Sequence, residues 1–233
     1  TIVTLPIADN MPPPARCGGR GNFMVELYEW PPTRSQRAKW ALEELGIAYS
    51  SHPVNMMENE QNSPKYRAIH PLGVVPALKT DGYTMFESVA IVLQLIDERP
   101  KMSLAPRPGS AERAAYYQWS IFACAELDPA IMAYFDNAMR PLDHMHPPGR
   151  QHDADLAARG RDDFAIRAEI LSNALDGRDH LLGDEFSGAD ILIGHSCFMA
   201  TFTGLIEGYP VLEDYYARLQ ERPAYRRAYA DIG

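Results

Sequence analysis

A carboxylate and a hydroxyl side chain, Glu87 and Ser88, lie where a strand pattern passes into an apolar helix pattern. The start of a helix leaves backbone N–H groups without partners and carries a partial positive charge, so it suits a bound carboxylate. We expect Ser88 either to bind such a carboxylate or to act as an ordinary N-cap, because serine is favoured at that position in any protein. Glu87-Ser88 therefore marks a candidate carboxylate-binding site.

The run Asp143-His144-Met145-His146 is a competing candidate, because its His and Asp side chains resemble metal ligands. The following Pro147-Pro148-Gly149 is typical of a loop, and a His-x-His pair is weakly specific. We therefore predict a solvated loop between two helices here, and no metal cofactor.

The cysteines indicate neither redox nor metal chemistry. Cys17, Cys124 and Cys197 are odd in number and widely spaced, so they form neither a disulfide framework nor a zinc pattern. No Cys-x-x-Cys occurs, which argues against a dithiol oxidoreductase. Cys124 and Cys197 fall within apolar helical patterns, and we expect them to be small buried side chains.

The composition is that of an ordinary soluble globule, since 46% of the 233 residues are hydrophobic and 23% are charged. The formal net charge of -9 argues against a general affinity for nucleic acid or for an anionic membrane, because both depend on clustered Lys and Arg. No apolar run approaches the roughly 20 residues that span a bilayer. We therefore expect a cytoplasmic protein without nucleic-acid or membrane partners.

The first half of the chain alternates strand and helix patterns in the order strand, helix, strand, helix, strand, strand, helix. The predicted strands lie at 24–28, 48–54, 74–79 and 83–86, and the predicted helices begin at 35, 63 and 88. Gly46 is typical of a helix end, and Asp81-Gly82 is a strong hairpin turn. This order predicts an α/β thioredoxin-like domain over 24–100, with a small mixed sheet flanked by helices.

Beyond residue 100 only helical patterns are convincing, at 110–135, 153–175, 191–202 and 211–219. Residues 100–109 contain three prolines and a glycine, which predict an interdomain linker at 101–109, so the second domain is all-α and covers 110–233. Ser187-Gly188-Ala189-Asp190 resembles a capping box before the most apolar helix, which we expect at the centre of a bundle. Residues 1–23, with three consecutive prolines, are expected to be a poorly ordered extension.

Three stretches carry a family resemblance: 70–78 (HPLGVVPAL) followed by Phe86-Glu87-Ser88, 41–46 (ALEELG) in the first helix, and the Ser-x-x-Asp of 187–190. Together they resemble the cytosolic glutathione transferase superfamily, in particular a bacterial serine-type member. The resemblance covers essentially residues 24–231. It implies a glutathione-binding thioredoxin-like domain followed by an all-helical bundle domain, with glutathione as co-substrate.

The resemblance also implies how glutathione is held. Val75, before a cis peptide bond to Pro76, would offer its N–H and C=O to the cysteinyl unit as an added strand would. Ser88 would bind the γ-glutamyl carboxylate and Glu87 the nearby amino group. Gln61 falls where related enzymes bind the glycine carboxylate.

Three hydroxyls are candidates for activating the thiol, and all lie near the start of the first helix: Thr33, Ser35 and Tyr28. Serine-type members place the hydroxyl four residues before a basic residue, which is the spacing of Thr33 to Arg37. Ser35 is the other leading candidate, and Tyr28 ranks below both. A hydroxyl donor and the helix dipole both favour a thiolate, and Arg34 would add positive charge.

We therefore predict an enzyme that conjugates glutathione to a small hydrophobic electrophile, as in detoxification. The electrophile pocket is expected on the long helix, with Tyr116 in its wall. Two alternatives stay open: a glutathione-dependent lyase or isomerase using the same site, and a non-catalytic interaction protein with the same fold. Related proteins imply a homodimer.

Overall fold

A computed structural model describes residues 24–140 and 151–232. In these ranges the strands β1–β4 lie at Glu26–Glu29, Ser50–Pro53, Ala77–Lys79 and Thr84–Phe86. The helices α1–α9 lie at Ser35–Leu45, Pro64–Arg67, Ser88–Asp97, Ala111–Phe122, Asp128–Ala138, Ala154–Leu175, Gly188–Phe202, Pro210–Gln220 and Pro223–Ala228. Short 3-10 turns at Glu60–Asn62 and Pro100–Met102, and a π-helical turn at Ala123–Leu127, join these elements. The predicted extension 1–23 and the run Asp143–His146 lie outside the described residues.

The strands form one mixed sheet in the order β2-β1-β3-β4. β1 pairs in parallel with β2 and antiparallel with β3, where Leu27 lies opposite Leu78. β3 and β4 form the hairpin predicted around Asp81-Gly82. The parallel pair requires a crossover connection, and α1 provides it. The prediction of a thioredoxin-like domain followed by a helical part is confirmed.

Helix α1 ends as the sequence predicts, because Gly46 adopts a left-handed conformation with φ of 61° and its N–H bonds to the carbonyl of Glu43. The helix is buried between the sheet and the second half of the chain. Trp40 has no exposed surface, and Gly194 of α7 lies directly against it. A Cβ at Gly194 would come within 2.9 Å of the Trp40 ring, so only glycine allows α7 to approach α1 this closely.

The long helix predicted at 110–135 is interrupted. The structure divides it into α4 and α5, separated by a π-helical turn that ends at Leu127. Pro129 explains the interruption, because proline lacks an N–H and its ring clashes with the carbonyl four residues earlier. The wider π turn accommodates both effects. The turn places Asp128, which is 5% exposed, facing the start of α1.

Helix α7 begins at the predicted capping box. The Asp190 carboxylate accepts the Ser187 N–H at 2.8 Å, and it also accepts the Leu181 N–H at 3.0 Å and the Tyr215 hydroxyl at 2.9 Å. Eleven of the residues of α7 are buried, so the helix lies at the centre of the hydrophobic core, as predicted. The domain limits 24–100 and 110–233 stay a prediction.

Within residues 24–140 and 151–232, no helix is both long enough and apolar enough to cross a membrane. Over the same ranges, no group of three or more His, Cys, Asp or Glu side chains is arranged to hold a metal ion. Cys197 is buried, as predicted, whereas Cys124 is only partly buried.

Candidate active site

The two leading hydroxyl candidates, Thr33 and Ser35, are in direct contact at the start of α1. Their side-chain oxygens lie 2.7 Å apart. The Thr33 hydroxyl donates to the Trp30 carbonyl at 2.6 Å, and the Ser35 oxygen accepts the Trp30 N–H at 3.3 Å. The remaining Ser35 proton therefore points to Thr33. Ser35 has no exposed surface, whereas Thr33 is partly exposed. Of the two residues, only Thr33 has surface that a ligand could contact.

The Tyr28 hydroxyl is engaged elsewhere. It donates to the Glu26 carboxylate at 2.9 Å, and its ring stacks on His52 with centroids 5.0 Å apart. Burial and the hydrogen bond to Glu26 raise the pKa of Tyr28 to about 12. Because its proton is donated to a carboxylate, the Tyr28 hydroxyl does not offer it to a thiol.

Arg34 and Arg37 both bind the carboxylate of Asp128. Arg34 Nε lies 2.8 Å from Oδ2, and the Arg37 guanidinium makes a bidentate pair at 2.9 Å to each oxygen. Ser196 of α7 also donates to Asp128 at 2.9 Å. Burial alone would raise the pKa of Asp128, but the two guanidinium groups hold it well below its usual range. The cluster contains two positive charges and one negative charge, so it retains net positive charge beside Thr33.

Asp128 was missed by sequence reasoning, because 91 residues separate it from Arg37. The pair Asp128-Pro129 carries the signal that could have found it. Proline is favoured in the first turn of a helix, so this pair indicates a new helix start inside the predicted long helix.

The loop before β3 presents an open backbone. The bond between Val75 and Pro76 is cis, as the resemblance implies. The Tyr66 hydroxyl donates to the Val74 carbonyl at 2.7 Å, which fixes the loop. Among the described residues, none makes a backbone hydrogen bond to Val75. Its N–H and C=O are therefore free to pair with an extended ligand.

Gln61 lies against this loop. A Cβ on Gly73, whose φ is 60°, would come within 2.6 Å of the Gln61 carbonyl. Glycine therefore lets the 3-10 turn of Gln61 approach the loop that leads to Val75. The Gln61 side-chain oxygen is buried and lacks a hydrogen-bond partner among the described residues, while its amide nitrogen lies 3.4 Å from the Asn59 side-chain oxygen.

Glu87 and Ser88 lie at the start of α3, but Glu87 is the N-cap residue and Ser88 is the first residue of the helix, so the N-cap role considered for Ser88 is wrong. Glu87 has φ of 74°, a conformation that costs a residue other than glycine about 1–3 kcal/mol and that clusters at functional sites. The Ile91 N–H is bonded to the Glu87 carbonyl. No side chain caps the helix, so the N–H groups of its first turn are available to an anion.

His70 connects these two loops. Its ring is 2% exposed and packs on Phe86, the residue before Glu87, with centroids 4.7 Å apart. Burial lowers the pKa of His70, against the opposing charge of Glu87. A neutral His70 therefore packs as an aromatic ring that ties the end of β4 to the loop of Val75.

Tyr116 does not lie where we predicted. Its side chain has no exposed surface, and it is packed between α3, α4 and α7. A Cβ on Gly188 would lie 2.7 Å from its hydroxyl and 2.4 Å from Ile96. Because these helices enclose the ring completely, Tyr116 belongs to the core and does not line an open pocket.

A cavity of about 460 Å³, lined mainly by apolar side chains, opens instead at the turn before α1. Its walls come from the turn before α1, from the end of α7 and from the C-terminal tail: Pro31, Pro32, Phe198, Phe202, Asp231 and Ile232. Pro32 directly precedes Thr33. A small apolar molecule in this cavity would therefore lie next to the start of α1.

The sequence is similar to a known protein family and to named relatives. Residues 24–95 match the family described as glutathione S-transferase, N-terminal domain. Glutathione S-transferase Z1 of Arabidopsis thaliana is 26% identical over 215 residues, which cover 89% of this chain and 92% of the relative. The probable maleylacetoacetate isomerase 2 of Drosophila melanogaster is 27% identical over 207 residues, which cover 87% and 86%.

Two solved structures show the same architecture. The ternary complex of BphK, a bacterial GST, superposes with a TM-score of 0.75 at 27% identity and covers 87% of this chain and 96% of that chain. A sphingomonad glutathione S-transferase complexed with glutathione gives a TM-score of 0.73 at 27% identity, with the same coverage.

Proposed function

We propose that this chain, whose residues 24–95 match a glutathione S-transferase N-terminal domain, activates glutathione as a thiolate and conjugates it to a small apolar electrophile. The observation that carries the proposal is the partly exposed Thr33, which lies at the start of a helix and directly follows Pro32, a residue of the cavity wall. A nucleophile and its electrophile would meet at that point. The positive φ of Glu87 and the open backbone of Val75 support a ligand site in the same half of the chain.

Glutathione would bind along the cis-proline loop. The free N–H and C=O of Val75 would pair with the cysteinyl unit as a neighbouring strand does. The first turn of α3 and the Ser88 hydroxyl would bind the γ-glutamyl carboxylate, with Glu87 next to its amino group. Gln61, whose buried oxygen lacks a partner, would lie near the glycine end.

Thr33 would stabilise the thiolate by donating its hydroxyl proton to the sulfur instead of to the Trp30 carbonyl. Its single proton goes to the Trp30 carbonyl at 2.6 Å, so it must rotate to reach a thiolate. The exchange is favourable because a hydrogen bond to an anion is roughly twice as strong as one to a neutral carbonyl. Ser35 would be a positioning residue, since its own proton is donated to Thr33. This chain would therefore use threonine in place of the serine that the sequence resemblance implies.

The energy required is modest. A free thiol has a pKa near 8.5, and lowering it by about two units requires roughly 2.7 kcal/mol. One hydrogen bond to a charged group contributes about 1.5–3 kcal/mol, and the end of a helix contributes about 0.3–1 kcal/mol. The net positive cluster of Arg34, Arg37 and Asp128 acts in the same direction.

The electrophile pocket would be the cavity lined by Phe198, Phe202 and the two prolines. Its aromatic walls favour an apolar substrate over the maleylacetoacetate in the name of the Drosophila relative. Conjugation is therefore preferred to isomerisation.

We further propose a homodimer. Apolar side chains remain exposed on two helix faces, with Tyr117 and Ile121 on α4 and Ile166 and Ile170 on α6. Members of each pair are four residues apart, so they form one stripe on each helix. Sedimentation equilibrium tests this assignment, and a monomer at micromolar concentration would contradict it.

The function is tested by equilibrium dialysis with glutathione, followed by ultraviolet titration of the bound thiol. We expect binding, with the thiol pKa about two units below its free value near 8.5. Absence of binding would reject the proposal. Binding with an unshifted pKa would leave a docking site and reject the catalytic role.

A further inference from the structure

The cavity beside Thr33 has one charged wall. Of the described residues that line it, Asp231 is the only one with a charged side chain. The Ile232 N–H donates to the Tyr229 carbonyl at 3.1 Å, so the tail is tied back to α9. The Asp231 carboxylate is bound by Lys39 Nζ at 2.8 Å, which fixes it on the pocket wall.

Lys39 cannot neutralise this wall by itself, because it serves two carboxylates. Its ammonium also lies 3.3 Å from Glu29 Oε1. The Lys39 side chain is 9% exposed and that of Glu29 is 4% exposed, so the pair is fixed in the protein. Ser51 donates to Glu29 at 2.6 Å. Two carboxylates and one ammonium leave the cluster with a net charge of about -1 at neutral pH.

The net charge is positive at the other end of the proposed reaction site, near the start of α1. There the cluster of Arg34, Arg37 and Asp128 has two positive charges and one negative charge. The site is therefore polarised, with positive charge near the thiolate position and negative charge at the tail. An anionic electrophile entering the cavity would lie close to Asp231, which is 66% exposed and therefore faces solvent and incoming substrate.

We propose that the Glu29–Lys39–Asp231 cluster makes this pocket select uncharged electrophiles over anionic ones, with Asp231 as the specificity-determining residue. The inference rests on the proposed conjugating function. The proposed selection depends on charge and not on size. Replacing Asp231 with asparagine separates the two, since it keeps the shape of the wall and removes its charge.

Two chloronitrobenzenes test the inference: neutral 1-chloro-2,4-dinitrobenzene and anionic 4-chloro-3,5-dinitrobenzoate. In both, the thiolate attacks the ring carbon that bears chlorine, the C–S bond forms, and the C–Cl bond breaks to release chloride. Each kcat/KM is divided by the uncatalysed rate constant for the same probe. The measured quantity is the normalised kcat/KM of the anionic probe divided by that of the neutral probe. A general loss of activity lowers both values equally and leaves this ratio unchanged.

We expect a low ratio for the wild type and a rise of about two- to fivefold in Asp231→Asn, the range that exposed charge pairs give. The difference should shrink at about 1 M salt, where screening acts within roughly 3 Å. Asp231→Glu keeps the charge and should keep the low ratio. Asp179→Asn is the matched control, because Asp179 is an exposed carboxylate 3.9 Å from Arg218, outside the cavity lining. It should leave the ratio unchanged.

The possible failures are distinguishable. If the wild type conjugates the neutral probe but its ratio is near one, or if Asp231→Asn leaves the ratio low, the charge selection is wrong and the conjugating function stands. If Asp179→Asn raises the ratio as much as Asp231→Asn, overall protein charge is responsible and the inference is also wrong. If the wild type conjugates neither probe, the proposed function itself fails.

Discussion

Replacing Asp128 with asparagine should destabilise the protein far more than an ordinary surface substitution. Asp128 accepts three guanidinium hydrogen bonds at 2.8–2.9 Å and one from Ser196 at 2.9 Å. Its main partner, Arg37, has no exposed surface. Removing one member of a buried ion pair leaves an uncompensated charge and costs about 3–5 kcal/mol. For a chain of this size each kcal/mol lowers Tm by about 2–4 °C, so we expect a fall of about 6–20 °C.

Urea unfolding followed by circular dichroism measures this free energy. Asp163→Asn is the matched control, since Asp163 also pairs with an arginine, Arg167, but is 56% exposed. Such an exposed pair contributes about 0.3–0.5 kcal/mol. If Asp128→Asn cost no more than Asp163→Asn, the argument that Arg37 depends on this carboxylate would be wrong.

The cluster of Arg34, Arg37 and Asp128 also predicts how the free energy of unfolding falls at low pH. The pKa of Asp128 is lowered in the folded state, and the unfolded value is about 3.9. Its contribution is therefore complete above roughly pH 5 and is lost as pH falls towards the folded pKa. Between pH 6 and 3 the wild type should lose more unfolding free energy than Asp128→Asn, and parallel curves would contradict the assignment.

Three further predictions concern single side chains. Thr33→Val should raise the pKa of the bound thiol by about one to two units and lower kcat/KM by about 10- to 100-fold, because it removes a hydrogen bond worth roughly 1.5–3 kcal/mol. Thr33→Ser keeps the hydroxyl and should retain most of the activity. Equal effects of the two variants would exclude a role for the hydroxyl. Gly194→Ala should cost about 1–3 kcal/mol, because its Cβ would meet Leu219 at 2.8 Å and Trp40 at 2.9 Å. Gly82→Ala, whose nearest contact is 3.9 Å, is its control in the same urea assay, and similar losses would contradict the packing argument. Ser187→Ala should cost about 1–2 kcal/mol by removing the α7 N-cap, and an unchanged urea midpoint would exclude that role.

The elements that the sequence predicts well are those fixed by local chemistry. Gly46 ends α1, Asp81-Gly82 forms the hairpin and Ser187 caps α7, because each depends on backbone conformation or on a hydrogen bond within a few residues. The cis-proline loop around Val75 could likewise be located, since its motif is contiguous.

The parts that could not be predicted depend on contacts between distant segments. The placement of Thr33 outside Ser35 depends on a hydrogen-bond chain through Trp30. Tyr116 lies in an amphipathic helical pattern that is equally consistent with a pocket-lining side chain and with a core side chain. Only the packing of α7 against it shows that it belongs to the core. Asp128 meets Arg37 across 91 residues, a separation over which no local pattern extends.

The surroundings of α1 limit how far the first half of the chain can fold as an independent unit. Nine residues of this helix are buried, including Gln36, Arg37 and Lys39, and their polar groups reach Ala228, Asp128 and Asp231 in the helical half. Severing the chain near residue 105 would leave these groups without partners and would expose Trp40. A gene fragment encoding only the first half should therefore yield an insoluble product, and exchange of helical halves between relatives should succeed only when these contacts are transferred with them.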